Sequence, residues 1–168
     1  MDSVRRHLVV LLLIAPLAGC GFHVRGTTPD SQLSFASIYL DAPRGTPIER
    51  ELRTMIRTGN VQLAADAKSA AVTLRVLSQA QERKVMTLNA QGKVREFSLT
   101  YRVRFEITDA NNKKLLQPPE IALQSILSYS EEQALAKEQE ERLTFDDLRR
   151  DAVGQIVRQL ARVKPEQL

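Results

Sequence analysis

The chain has 168 residues, 43% hydrophobic and 26% charged, a balance that excludes a disordered or collagen-like polymer and is enough for one domain with a real core. A net charge of +4 is too mild to point to nucleic acid. With a single cysteine no disulfide can form within the chain, so packing alone must hold the fold.

Arg5 and Arg6 open the chain, Leu8 to Leu17 form an almost unbroken apolar run, and Ala18 and Gly19 lead to Cys20. A positive start, a short apolar run and small residues describe a secretory signal peptide. The run is about ten residues, half of the roughly twenty that a helix needs to cross a ~30 Å hydrocarbon core, so no retained membrane span is expected. Leu17-Ala18-Gly19-Cys20 resembles the bacterial lipobox, at which the Cys thiol receives a diacylglycerol and cleavage leaves that Cys as the first residue. Cys20 is therefore expected to be lipidated. A single acyl chain holds marginally, at about 0.8 kcal/mol per buried methylene, whereas several on one residue anchor stably. The lipoprotein sorting pattern uses Asp after the Cys for inner-membrane retention; Gly21 stands there, which predicts the outer membrane. An ordinary signal peptide followed by a free or buried thiol is the competing reading. The expected organisation is a signal peptide over 1–19, an acylated tether and loop over 20–36, and a single α+β domain over 37–165.

Ser37-Ile38-Tyr39-Leu40-Asp41 reads as a short strand bounded by Pro43 and Gly45. A helix start follows: Thr46 as N-cap, Pro47 in the first helical position, and Glu49 to complete a capping box. Ile48, Leu52, Met55 and Ile56 share one helical face, and Gly59 is placed to end the helix at positive φ. Val72, Leu74 and Val76 alternate as in a half-buried strand that continues less cleanly towards Leu88, and Asn89-Ala90-Gln91-Gly92 marks a turn. In the next strand Phe97, Leu99, Tyr101, Val103, Phe105 and Ile107 alternate with Ser98, Thr100, Arg102, Arg104 and Glu106, predicting one buried and one wet face. After a turn over 109–113, Ile121 to Tyr129 reads as a last strand, confined at its start by Pro118 and Pro119.

Ser130 and Gln133 form a second capping box before the final helix, whose acidic stretch from Glu138 to Glu141 is expected to fray or break the first turns. From Leu143 the apolar stripe is strong: Leu148, Ala152, Ile156, Leu160 and Val163, widened by Val153 and Val157. Gly154 inside it suggests a close approach, and Pro165 ends it. The fold class is therefore α+β, two helices packed on one face of a four-stranded mixed sheet in the order β-α-β-β-β-α. The two long strands can each extend about 45 Å, so their hairpin is expected to project beyond the helices.

No enzyme chemistry is legible. His23 sits near the acylated terminus with no second histidine or free cysteine to build a metal site, and no serine lies in Gly-x-Ser-x-Gly. Glu138, Glu140, Glu141, Asp146 and Asp147 read as a solvated helix face. No cofactor is expected beyond the covalent lipid. What remains is charge: Arg83, Lys84, Lys93 and Arg95 bracket the hairpin turn, and Lys137 follows Ala134-Leu135-Ala136 at the start of the last helix. Lysine and arginine guarding a sheet edge explain the cluster without function. The functional reading is a phosphate or carboxylate contact through charge-assisted hydrogen bonds.

Cys20-Gly21-Phe22-His23-Val24-Arg25-Gly26-Thr27, the capped helix from Thr46 to Gly59-Asn60-Val61, and Ala134-Leu135-Ala136-Lys137-Glu138 together resemble the lipopolysaccharide-assembly lipoprotein family LptE. The resemblance implies a lipoprotein, acylated at Cys20, that plugs the large outer-membrane β-barrel LptD and binds lipopolysaccharide, with Lys137 suited to the contact. Some members carry a basic residue just before the hairpin glycine; here Ala90 and Gln91 stand there, a departure that counts against the hairpin contact unless Lys93 or Arg95 substitutes. A periplasmic lipid-binding carrier and a pilotin-like assembly chaperone are the alternatives. A carrier needs an apolar cavity between sheet and helices, and a plug needs none.

Overall fold

The computed structural model describes residues 33–59, 61–116 and 120–163. Cys20, His23, Pro118, Pro119 and Pro165 lie outside the described residues. The elements in order are β1 (Ser37–Asp41), α1 (Pro47–Thr58), β2 (Gln62–Leu63), β3 (Val72–Leu88), β4 (Val94–Asp109), β5 (Glu120–Ser128), a 3-10 turn (Glu131–Gln133) and α2 (Ala134–Leu160).

The sheet is mixed, in the order β2-β1-β3-β4-β5, with β1 parallel to β2 and β3 and the remaining pairs antiparallel. It has five strands where four are expected. The addition is β2, two residues that pair with Ser37 and Ile38 as the chain leaves α1, too short to show any alternation. Packing begins ahead of β1, since Leu33 and Phe35 are buried in the core.

The alternation in β4 determines which face is buried. Phe97, Leu99, Tyr101, Val103, Phe105 and Ile107 are all buried, and α2 lies mainly over β4 and β5 with Phe145, Leu148, Ala152, Val153, Ile156 and Leu160 turned inward. Helix α1 contributes Ile48, Leu52 and Ile56 and packs on α2 and β2. Met55, expected on the same face, is 43% exposed at the crevice between the helices.

Both hairpin turns use one device. At Asn89, the backbone amide bonds the Lys93 carbonyl at 2.8 Å, and the side-chain Oδ1 accepts from the amides of Gln91 and Lys93. Asp109 repeats this with Asn111 and Lys113. The fourth residue of each turn needs positive φ, met by Gly92 at 76° and by Asn112 at 62°.

The helix ends depart from the sequence reading in four places. Thr46 does cap α1, its side chain accepting from the Glu49 amide at 3.4 Å, but the Glu49 carboxylate turns to Arg53 at 2.6 Å instead of closing the box. Gly59 has φ −82°, extended rather than left-handed, and its amide bonds the Ile56 carbonyl, so the last turn tightens. Ser130 caps nothing; its hydroxyl donates to Glu132, and the chain enters α2 through the 3-10 turn. The acidic stretch does not break α2, because Glu140 pairs with Lys137 and Glu141 reaches across to Arg83.

Two further expectations fail on α2. Leu143 is 56% exposed, and the stripe starts at Phe145. Gly154 meets no close neighbour: a Cβ there would come within 3.4 Å of only the flexible tip of Arg158. Gly154→Ala is therefore expected to raise unfolding stability by about 0.8 kcal/mol, the helix-propensity difference. Urea denaturation followed by circular dichroism measures it, and a loss of stability would mean a tighter helix environment than this one.

Candidate functional site

The hairpin tip and the start of α2 share one end of the molecule, and the basic residues singled out in the sequence meet there in part. Arg83 lies on the helix side of β3 opposite buried Leu99, bonded to Glu141 at 2.9 Å and stacked 4.7 Å from the centre of the Phe97 ring. Phe97 in turn meets Tyr129 edge-on at 5.1 Å, fixing the floor of this end. The Lys93 Nζ reaches Glu131 at 2.6 Å, and that hydrogen bond holds its pKa above the usual lysine value. Lys137, with 17% of its side chain exposed, pairs with Glu140 at 2.7 Å. Arg95 makes no ion pair among the described residues; it lines a cleft of about 320 Å³ with Lys93, Tyr129, Ser130, Glu131 and Glu132.

Lys84 is the exception. Residues alternate across a strand, so beside Arg83 it must face the other way; it sits opposite Ser98 on the polar face and pairs with Glu82 at 3.2 Å. There Glu82 also meets Arg102, which bonds Glu120, forming a ladder of alternating sign across three strands. The five basic residues are therefore not one cluster. Four lie at the helix-side end, three of those already bound to carboxylates that an incoming anion would have to displace. The exposed Lys93–Glu131 pair contributes only about 0–1 kcal/mol and is the cheapest to exchange, whereas Lys137 and Glu141 are largely covered and their pairs are harder to displace.

A second polar centre was not legible as a site. Arg149 is buried within the apolar stripe of α2 and bridges the two helices, bonding Glu51 of α1 at 2.9 Å and Asp146 at 2.7 Å. Burial pulls its pKa down, but the two carboxylates outweigh it and hold it above the usual value. A charged residue between Leu148 and Ala152 was the available signal, since a stripe position holding Arg demands an acidic partner. The Tyr101 hydroxyl lies nearby and donates to Gln79 Oε1 at 3.0 Å. Among the described residues there is no group of three His, Cys, Asp or Glu side chains that could hold a metal ion.

The space between sheet and helices is filled by side chains, and the crevice between α1 and α2 is only about 360 Å³, lined by Pro47, Glu51, Met55, Arg149 and Val153 among others. A sequence profile of the family LptE, lipopolysaccharide-assembly, matches residues 35–160. This chain belongs to the LptE family. The LPS-assembly lipoprotein LptE of Pectobacterium atrosepticum is 28% identical, the alignment covering 95% of this chain and 86% of that one. Its counterpart in Yersinia pestis is 30% identical, over 94% of this chain and 77% of the relative. Of solved structures, a lipoprotein B from Nitrosomonas europaea is 35% identical with a TM-score of 0.72, covering 84% of this chain and 90% of that one. The rare lipoprotein B of Shewanella oneidensis is 25% identical with a TM-score of 0.68, covering 74% and 93%. The LptE fold thus extends over nearly all the described elements, from Phe35 to the end of α2.

Burial pushes the Tyr101 hydroxyl up to about 12. Because the folded value is raised, its contribution to stability is complete below the ordinary tyrosine value near 10 and is lost as pH rises towards 12. In an alkaline titration of tyrosinate absorbance, one of the three tyrosines is expected to ionise late, and Tyr101→Phe is expected to remove that phase. A late phase that survives the substitution would assign it elsewhere.

Proposed function

We propose that this chain is an outer-membrane lipoprotein, anchored through acyl groups on Cys20, that supports the β-barrel LptD from within and binds lipopolysaccharide during its delivery to the cell surface. The family match over residues 35–160 carries the reading. The local chemistry agrees with it. Arg83, Lys93, Arg95 and Lys137 supply cationic donors at one end, and of these Lys93, held only by an exposed carboxylate, and Arg95, in no ion pair among the described residues, are the most able to turn to lipid phosphates. The sheet face away from the helices carries Arg102, Arg104, Glu106, Glu120 and Gln124, both signs interspersed, a surface suited to a hydrated barrel lumen and not to lipid tails.

Such a plug draws its partner affinity from the folded domain, and the acyl chains determine the membrane and leaflet. Purification of the mature lipoprotein from outer membranes should recover a large β-barrel in fixed proportion; its absence would remove the reading. A soluble Cys20→Ala form exported by a cleavable signal should recover the same barrel. If recovery needs the acyl chains, the binding energy lies in the anchor.

For the ligand, Lys93→Gln with Lys137→Gln removes two cations without adding carboxylates beside Glu131 and Glu140. Lipopolysaccharide binding at low salt is expected to weaken by about tenfold or more, two charge-assisted hydrogen bonds being lost, with the circular dichroism spectrum unchanged. Unaltered affinity would place the contact away from this end.

A further inference from the structure

Strand β3 is paired with β4 along nearly its whole length, but with β1 only over Val72–Arg75. From Val76 to Leu88 its outer edge has no partner among the described residues. Proteins usually blunt such an edge with proline, a short strand, a bulge or charged side chains; of these devices Ser78–Val85 itself carries only charge, at Glu82, Arg83 and Lys84, each taken up in an ion pair within the fold. Here no proline occurs between Val72 and Leu88. Bulges at Leu77 and Met86 do not interrupt the edge; they bracket Ser78–Val85, which runs in unbroken register against Phe97–Arg104.

The inner side of that segment is lined for an occupant. Gln79, Gln81 and Arg83 stand opposite buried Val103, Tyr101 and Leu99, yet α2 lies over β4 and β5 and leaves these three side chains uncovered. Gln79 and Gln81 border a cavity of about 290 Å³ with Pro47, Tyr101 and Arg149. Gln81 and Arg83 border the next, about 500 Å³, with Glu138, Arg142 and Phe145. The two cavities follow one another along the strand and share Gln81, an arrangement open to alternate side chains of a neighbouring strand, which fall on one face. Their walls mix amides, a phenol and ionic groups with the apolar surfaces of Pro47 and Phe145, and Glu138 and Arg142 make no ion pair among the described residues. An acyl chain would leave those groups unsatisfied, and no lipid can answer a row of free backbone donors and acceptors.

We propose that Ser78–Val85 is a docking edge for an extended polypeptide strand of a partner protein, which adds to β3 by backbone hydrogen bonds and places long side chains in the two cavities beside α2. The arrangement combines a sheet edge with a flanking helix, so that the ladder gives affinity and the cavities give selectivity. The barrel reading above enters only in naming the chain that supplies the strand.

The test is amide hydrogen exchange on peptides spanning Ser78–Val85, comparing the complex purified from outer membranes with the purified chain alone, and repeated with Gln81→Trp, which crowds the border the two cavities share from an exposed position. In the complex the outward amides of this segment are expected to exchange at least about tenfold more slowly, and Gln81→Trp to lower partner recovery by about tenfold, the scale of one or two net hydrogen bonds. A barrel recovered with the edge unprotected overturns the docking edge and leaves the barrel reading standing. Protection with a different partner keeps the docking edge and removes the barrel. Protection that grows with the concentration of the purified chain alone means pairing with a second copy, and overturns the proposal. Wild-type recovery by Gln81→Trp, folded by circular dichroism, overturns it as well.

Discussion

Strand β4 is the constraint on which the rest depends. It lies between β3 and β5, and its six odd-numbered apolar residues from Phe97 to Ile107 are all buried. Each such side chain contributes about 1.5–3 kcal/mol when fully removed from water. A slip of one residue would turn Arg102, Arg104 and Glu106 into the core and expose the aromatic face. That penalty fixes the pairing of both neighbours, and with them the position of α2. The cross-helix bond from Arg149 to Glu51 then fixes α1 against α2, although a buried ion pair of this kind specifies an arrangement more than it stabilises one.

Much of this was legible because it is periodic. The strict alternation of β4, the Val72-Leu74-Val76 start of β3 and the Leu148-to-Leu160 stripe each bury a repeating face, and repetition survives local noise. Features decided by one or two contacts were not legible. Two residues of β2 carry no period, Glu49 had a nearby arginine to prefer over the cap, and Gly59 ends its helix with an amide bond that any backbone could make. Leu143 and Gly154 show the limit of reading a helix from its apolar positions, since neither its exposure nor its free space is written in the spacing.

The basic residues illustrate the same limit. Their proximity in the sequence suggested one cluster, but a strand sends neighbours to opposite faces, so Arg83 and Lys84 serve different surfaces. Acidic residues far along the chain, Glu131, Glu140 and Glu141, decide how much of the remaining charge is free, and nothing in the hairpin announces them. The candidate site is consequently less positive than a count of lysines and arginines implies.

The paired turns at Asn89 and Asp109 have a consequence for the order in which the molecule assembles. Each closes within five residues through one side-chain oxygen, so the contacts that define both ends of β4 are local and inexpensive in loop entropy. Strand β1 is different: it reaches β3 across the whole of α1 and is held there by four residue pairs. The antiparallel ribbon is thus built on local closures, while the parallel strand depends on a closure across the whole of α1. The short seam of β3, four pairs with β1, lies on the same side of the strand as its open edge.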